Sequence, residues 1–204
     1  MRFSLEDARL AGDAWGFNCG PAAVAAVLVM SLDEVRPHLG DFEAKHYTNP
    51  TLMWQILKNT HAPVVEILRL SPEFEMLRTG RAPWPCYGLA RVQWEGPWTA
   101  PYVPMRVRYR HTHWVGVCDE TDSEPNIFDV NCMCVGGWVP LSEWSQSLVP
   151  WLLKQCEPKA NGRWHLTHTV EIRRGAESRE ATVDSAPASC NPAFEKGTEG
   201  SCLT

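Results

Sequence analysis

The run Pro21-Ala22-Ala23-Val24-Ala25-Ala26-Val27-Leu28-Val29-Met30 constrains this chain more than any other segment. It is apolar on every side, so a helix made from it has no face to offer water and has to be enclosed by the rest of the fold. The sequence predicts such a helix over residues 20–30, started by Pro21, whose missing N–H costs nothing in a first turn. The same run is too short to cross a bilayer, and no other stretch approaches about 18 consecutive apolar residues, so no membrane partner is expected.

A core large enough to enclose that helix is available, because 44% of the 204 residues are apolar and only 21% are charged. The length suits one domain plus a tail. After Gly175 the composition turns small, polar and acidic, too poor in large apolar side chains to offset its ordering entropy. The reading is therefore a domain over residues 1–174 and a flexible polar tail over residues 175–204. Nineteen Lys and Arg against 24 Asp and Glu leave a net charge of -5, without the basic excess that nucleic acid requires. The start, MRFSLEDARL, lacks the apolar centre of a secretory signal, which predicts a cytoplasmic setting and makes the eight Cys thiols rather than disulfides.

Along the chain, residues 11–18 read as a loop ahead of the apolar helix. Ser31 and Glu34 form a capping box for a second helix through Leu39. Residues 51–59 read as a third, with Leu52, Ile56 and Leu57 inward. Extended patterns follow over residues 64–68, 87–94, 106–118, 126–130 and 163–173, interrupted by a helix over residues 141–155 that bends or restarts at Pro150. Helices first and strands afterwards predict an α+β fold, with the apolar helix packed on an antiparallel sheet.

Chemistry enters where Asn18-Cys19-Gly20 meets the apolar helix. The partial positive charge of a helix N-terminus stabilises a thiolate there. Gly20 leaves room beside the sulfur, and the Cys19 backbone N–H is aimed where an oxyanion would form. A thiolate nucleophile needs an imidazole, and the imidazole needs an orienting group. His113, at the mouth of the apolar strand Trp114-Val115-Gly116-Val117, is the candidate base. Asp129, at the end of the next extended run, would lie near it if the two strands pair antiparallel.

Taken together, Asn18-Cys19-Gly20-Pro21-Ala22-Ala23, Thr112-His113-Trp114-Val115-Gly116-Val117 and Phe128-Asp129-Val130-Asn131 resemble the papain-like cysteine peptidases. The likeness is to the double-glycine leader peptidases of bacteriocin exporters and to peptidase-like proteins of bacteriophages, over residues 11–173. The resemblance implies a papain-like fold with Cys19 as nucleophile, His113 as general base and acid, and Asp129 as orienting residue. His111 is the weaker alternative base, and Asn131 the alternative for orientation.

One position departs from the family. The Gln that usually stands about six residues before the Cys, donating to the oxyanion, is here Asp13. An ionised carboxylate cannot donate. Either Asp13 is held neutral, or the Asn18 amide substitutes, or the scaffold has lost useful turnover.

The pair Cys132 and Cys134, with Cys118 and His111 nearby, lacks the two paired motifs of structural zinc, so no metal and no cofactor is expected. Gly136, Gly137 and Trp138 are read in two ways. They form one wall of a groove for an extended peptide, or Trp138, Trp144 and Trp151 anchor one helix stripe to the sheet.

The function implied is a cysteine-dependent hydrolase acting on a peptide or protein through an acyl-enzyme. The alternatives are a phage or prophage assembly protein on the same scaffold, virion-associated and with phage structural partners, and a peptidoglycan amide hydrolase.

Overall fold

The computed structural model describes residues 2–16, 18–70, 84–94, 112–119, 124–155 and 164–173. The domain boundary near residue 174, the tail, His111 and the strand pattern before Thr112 lie outside the described residues.

The first helix, α1 (Leu5–Trp15), occupies most of the segment read as a loop. Its start is fixed by a box in which Ser4 accepts from Asp7 N–H and Asp7 accepts from Ser4 N–H. Gly16, at φ 69°, ends it in a conformation that disfavours a side chain. The apolar helix α2 (Cys19–Val27) follows, with every residue from Gly20 to Val27 buried. It is shorter than the sequence run. Leu28 ends it, Val29 takes a positive φ of 57°, and Met30 N–H folds back to Ala25 O. Pro21 is its third residue, still inside the first turn, because the helical ladder opens with Ala22 donating to Asn18 O.

The Ser31–Glu34 box starts α3 (Leu32–Val35), which tightens into a 3-10 turn over Arg36–His38. Two further helices follow, α4 (Phe42–Lys45) and α5 (Pro50–Asn59). In α5 Asn49 caps the end and Leu52, Met53, Ile56 and Leu57 face inward.

The strands are β1 (Val64–Arg69), β2 (Tyr87–Trp94), β3 (Thr112–Cys118), β4 (Asn126–Phe128), β5 (Trp138–Pro140) and β6 (Trp164–Ile172). They form one sheet in the order β1-β6-β2-β3-β4-β5, and every neighbouring pair is antiparallel. The fold is α+β, and α2 packs across β3 and β2.

Two apolar cores result, one on each face. Val24, Phe42, Met53, Leu89 and Trp114 fill the first, between the N-terminal helices and the sheet. Val92, Val115, Val117, Ile127, Trp144 and Leu166 belong to the second, under α6 (Leu141–Glu143), a π-helical turn (Trp144–Leu148) and α7 (Val149–Gln155). The break from regular α-geometry in this last helix therefore begins at Trp144, before Pro150.

One irregularity matters for the site. Arg91 pairs with His168 while Val92 pairs with Leu166, so Thr167 is an extra residue bulged out of β6. The bulge hands β6 from one face to the other. His168 meets Trp54 of α5, while Leu166, two residues earlier, belongs to the opposite core.

Candidate active site

Cys19 is the first residue of α2, half-buried, with Gly20 behind it. The space a Gly20 side chain would fill is taken by Thr48, whose Cβ would lie 2.6 Å from an added Cβ. Gly20 thus makes room for Thr48 rather than for a ligand. Thr48 is in turn held by Trp114, whose indole N–H donates to its carbonyl at 2.8 Å.

β3 presents His113, which is 9% exposed, beside the Cys19 thiol, close enough for each to shift the other's titration. Its Nε2 lies 2.9 Å from Oδ2 of Asp129, just past the end of β4, which leaves Nδ1 as the nitrogen for Cys19. The antiparallel pairing of β3 with β4 brings these two side chains together.

Asp129 is fully buried, and its carboxylate accepts every side-chain hydrogen bond described for it. Oδ2 also accepts the Trp144 indole N–H at 2.9 Å. Oδ1 accepts the Asn131 backbone N–H at 2.9 Å and its side-chain amide at 2.8 Å. Asn131 therefore orients the carboxylate and does not face His113 in its place. Trp94 lies nearly parallel to the imidazole, at 6.2 Å and 26°, and Trp144 leans on Trp94 at 6.3 Å.

The electrostatics follow from this packing. Burial works to raise the Cys19 thiol, but the His113 charge, the bond to it and the Trp114 backbone N–H outweigh burial and leave the thiol lowered. Burial opposes a charged His113, yet Asp129 and then Cys19 hold its pKa well above the ordinary imidazole value. Burial likewise opposes Asp129, and His113, Trp144 and Asn131 bring it below the usual carboxylate range. The three groups together stabilise a thiolate beside an imidazolium.

The residues considered for the second oxyanion donor are placed elsewhere. Asp13 is exposed on α1. Asn18 donates its amide to Ala8 O at 3.0 Å, across to α1. The Cys19 N–H remains, outside the helical ladder.

Of the two readings of the Gly136 region, the tryptophan stripe needs correction. Gly137, at φ 83°, turns the chain so tightly that an added Cβ would meet the Phe128 ring at 2.5 Å, and Trp138 packs on Phe128 at 5.6 Å. Gly137 and Trp138 are thus tied to the protein's own core, while Gly136, at φ 95°, has open space around it. The tryptophans do not form one stripe. Trp138 is on β5, Trp151 is exposed, and Trp144 alone of the three is fully buried.

Cys132 is buried, and burial followed by the charges of Asp129, Cys134 and Glu143 pushes its thiol up to about 12. No cluster of three or more His, Cys, Asp or Glu side chains suited to a metal occurs among the described residues. Nor is any helix among them long and apolar enough to cross a membrane.

Two participants were not singled out from sequence. For Trp144 the sequence suggests packing alone, and the signal of its role is an indole N–H that needs an acceptor when buried. Arg91, on β2, lies close enough to Cys19 to feel its charge. Its signal was a cation inside an otherwise apolar strand.

No protein-family model matches the chain, and no curated protein matches it.

Proposed function

We propose that the chain is a cysteine-dependent hydrolase of the papain-like kind, cleaving a peptide or related amide through an acyl-enzyme. The observation that carries this reading is the chain of contacts from Cys19 to His113 to the fully buried Asp129. The thiolate of Cys19 attacks the amide carbonyl, forming a C–S bond and a tetrahedral oxyanion beside the Cys19 N–H. The oxyanion collapses, the C–N bond breaks, and the His113 imidazolium gives its proton to the leaving amine. Neutral His113 then takes a proton from water as the water attacks the thioester, and release of the acid restores thiolate and imidazolium. Asp129 remains ionised throughout and fixes the ring through Nε2.

A papain-like arrangement is supported by a nucleophile at the start of a buried helix, packed on an antiparallel sheet that supplies the imidazole. One observation favours a second reading, a scaffold with little turnover. Asp13 and Asn18 do not replace the family's Gln, and loss of one oxyanion donor typically costs about 100- to 1000-fold.

Incubation of the purified protein with a broad peptide library, read by mass spectrometry, separates the two. Defined products that vanish in Cys19→Ala establish the hydrolase. No cleavage from about pH 5 to 9 leaves the scaffold.

A further inference from the structure

Four residues on four strands form a row across the helix-covered face of the sheet. Arg69 on β1 stands opposite His168 on β6, His168 opposite Arg91 on β2, and Arg91 opposite Trp114 on β3. Residues paired in this way share a face. The row runs from the edge strand to Trp114, whose backbone N–H helps to lower the Cys19 thiol. Above it lies Trp54, edge-on to both His168, at 6.1 Å, and Trp114, at 6.2 Å.

The row is cationic, and no carboxylate among the described residues pairs with it. Arg91 is half-buried; one arm of its guanidinium donates to Thr167 Oγ1 at 3.1 Å, while its buried Nε has no acceptor. The Thr167 bulge fixes the direction of that arm. Glu66 and Glu171, the nearest acids on β1 and β6, sit an odd number of residues from Arg69 and His168 and line a separate hollow with Leu68, Trp84 and Thr169. His168 does not offset the charge either, because burial and the two arginines hold it neutral, at about 4.

Among the described residues, the anion whose charge Arg91 feels is the Cys19 thiolate. In the reaction proposed above that charge disappears when the sulfur is acylated. A guanidinium without a carboxylate partner among the described residues then lies near the acylated sulfur, and its fork suits a carboxylate.

We infer that this row is an anion subsite, in which Arg91, backed by Arg69, receives a carboxylate carried beside the amide that Cys19 attacks. The substrate class is then an acidic peptide, the carboxylate coming from a side chain or from a chain terminus. The inference rests on Cys19 being the nucleophile.

Iodoacetate and iodoacetamide test it without turnover, since both alkylate a thiolate by displacing iodide and differ in the carboxylate. The quantity to measure at about pH 6, in low salt, is the ratio of the two rates at Cys19, with N-acetylcysteine as reference. The expected wild-type ratio exceeds the reference by about fivefold or more, given one close charge pair at a partly exposed site. His113 also attracts iodoacetate, so the comparison with variants isolates the arginines. Arg91→Gln should lower the ratio about fivefold, Arg91→Lys should retain most of it, and Arg69→Gln, at an exposed position, about halve it. Equal ratios in wild type, Arg91→Gln and Arg69→Gln overturn the subsite and leave the hydrolase reading standing. A Cys19 that does not react with iodoacetamide overturns both.

Protection of Cys19 from iodoacetamide then identifies the source of the carboxylate. A Glu-containing peptide with an amidated terminus protects if a side chain is bound, and an uncharged peptide with a free C-terminus protects if a terminus is bound. Protection no better than that of a neutral amidated peptide by either one overturns the subsite.

Discussion

Trp144 and His113 meet on a single oxygen, each placing a ring nitrogen 2.9 Å from Oδ2 of Asp129. The π-helical turn that begins at Trp144 belongs to the C-terminal helical layer, and His113 to the middle of the sheet. A buried carboxylate is therefore the joint between two layers of the fold as well as the support of the imidazole.

Removing that carboxylate is expected to cost far more than removing one donor to it. Asp129→Ala strands His113 and Trp144 without an acceptor and should destabilise the fold by about 3–5 kcal/mol. Trp144→Phe, which keeps most of the ring and loses the N–H, should cost about 1–3 kcal/mol. Asn131→Ala should cost about 1 kcal/mol, because the backbone N–H still holds Oδ1. Urea unfolding measures all three, and equal losses would contradict the shared-acceptor arrangement.

Thiol reactivity should divide sharply between Cys19 and Cys132. With Cys19 lowered and His113 raised, each charge favours the other and the thiolate persists to lower pH than in a free thiol. Alkylation of Cys19 by iodoacetamide should therefore fall less between about pH 8 and 6 than that of a free thiol, which loses about a hundredfold. Cys132, pushed up to about 12, should remain unlabelled at both. His113→Ala should return Cys19 to the steep profile of a free thiol, as peptide mapping after a short pulse would read.

His168 is expected to show no imidazole titration by NMR between about pH 5 and 8, its proton arriving only near 4. The unfolded chain takes that proton at about 6.5, so between these values the unfolded state binds more protons. This group's contribution to stability is complete above about 6.5 and is lost as pH falls toward 4. An NMR midpoint near 6.5 would place His168 outside the influence of Arg91 and Arg69.

Gly136 and Gly137 should respond differently to alanine, though both have positive φ. Gly136→Ala meets open space and should cost about 1 kcal/mol, from backbone strain alone. Gly137→Ala adds a collision with the Phe128 ring and the Met133 sulfur, and should cost about 2–4 kcal/mol. Thermal melts of the two variants compare them directly, and equal shifts would deny the close approach.

Much of this was legible locally. The apolar helix, the Ser31–Glu34 box, α5 and the strands of Tyr87 and Asn126 follow from periodicity and capping, which depend on residues near in sequence. The proximity of His113 and Asp129 was readable because a short antiparallel connection leaves few alternatives. The first helix was missed at Ser4, whose box partner is Asp7 where Glu is more usual. The site's supports were out of reach for a different reason. Trp144 reaches Asp129 through a π-helical turn, and the Arg69-His168-Arg91-Trp114 row depends on the register of four strands and a bulge at Thr167. No local pattern encodes a register set by partners so distant along the chain.

The position of β6 between β1 and β2 also sets a schedule for synthesis. As the chain leaves the ribosome, Cys19, His113 and Asp129 all emerge before any of Trp164–Ile172. Until that strand arrives, β1 has no neighbour among the described strands, and Arg69 is not brought into line with Arg91. A nascent chain stalled before residue 164 is thus expected to carry all three members of the triad without the finished face beside them. The last strand made is the one that completes the ground on which a substrate would lie.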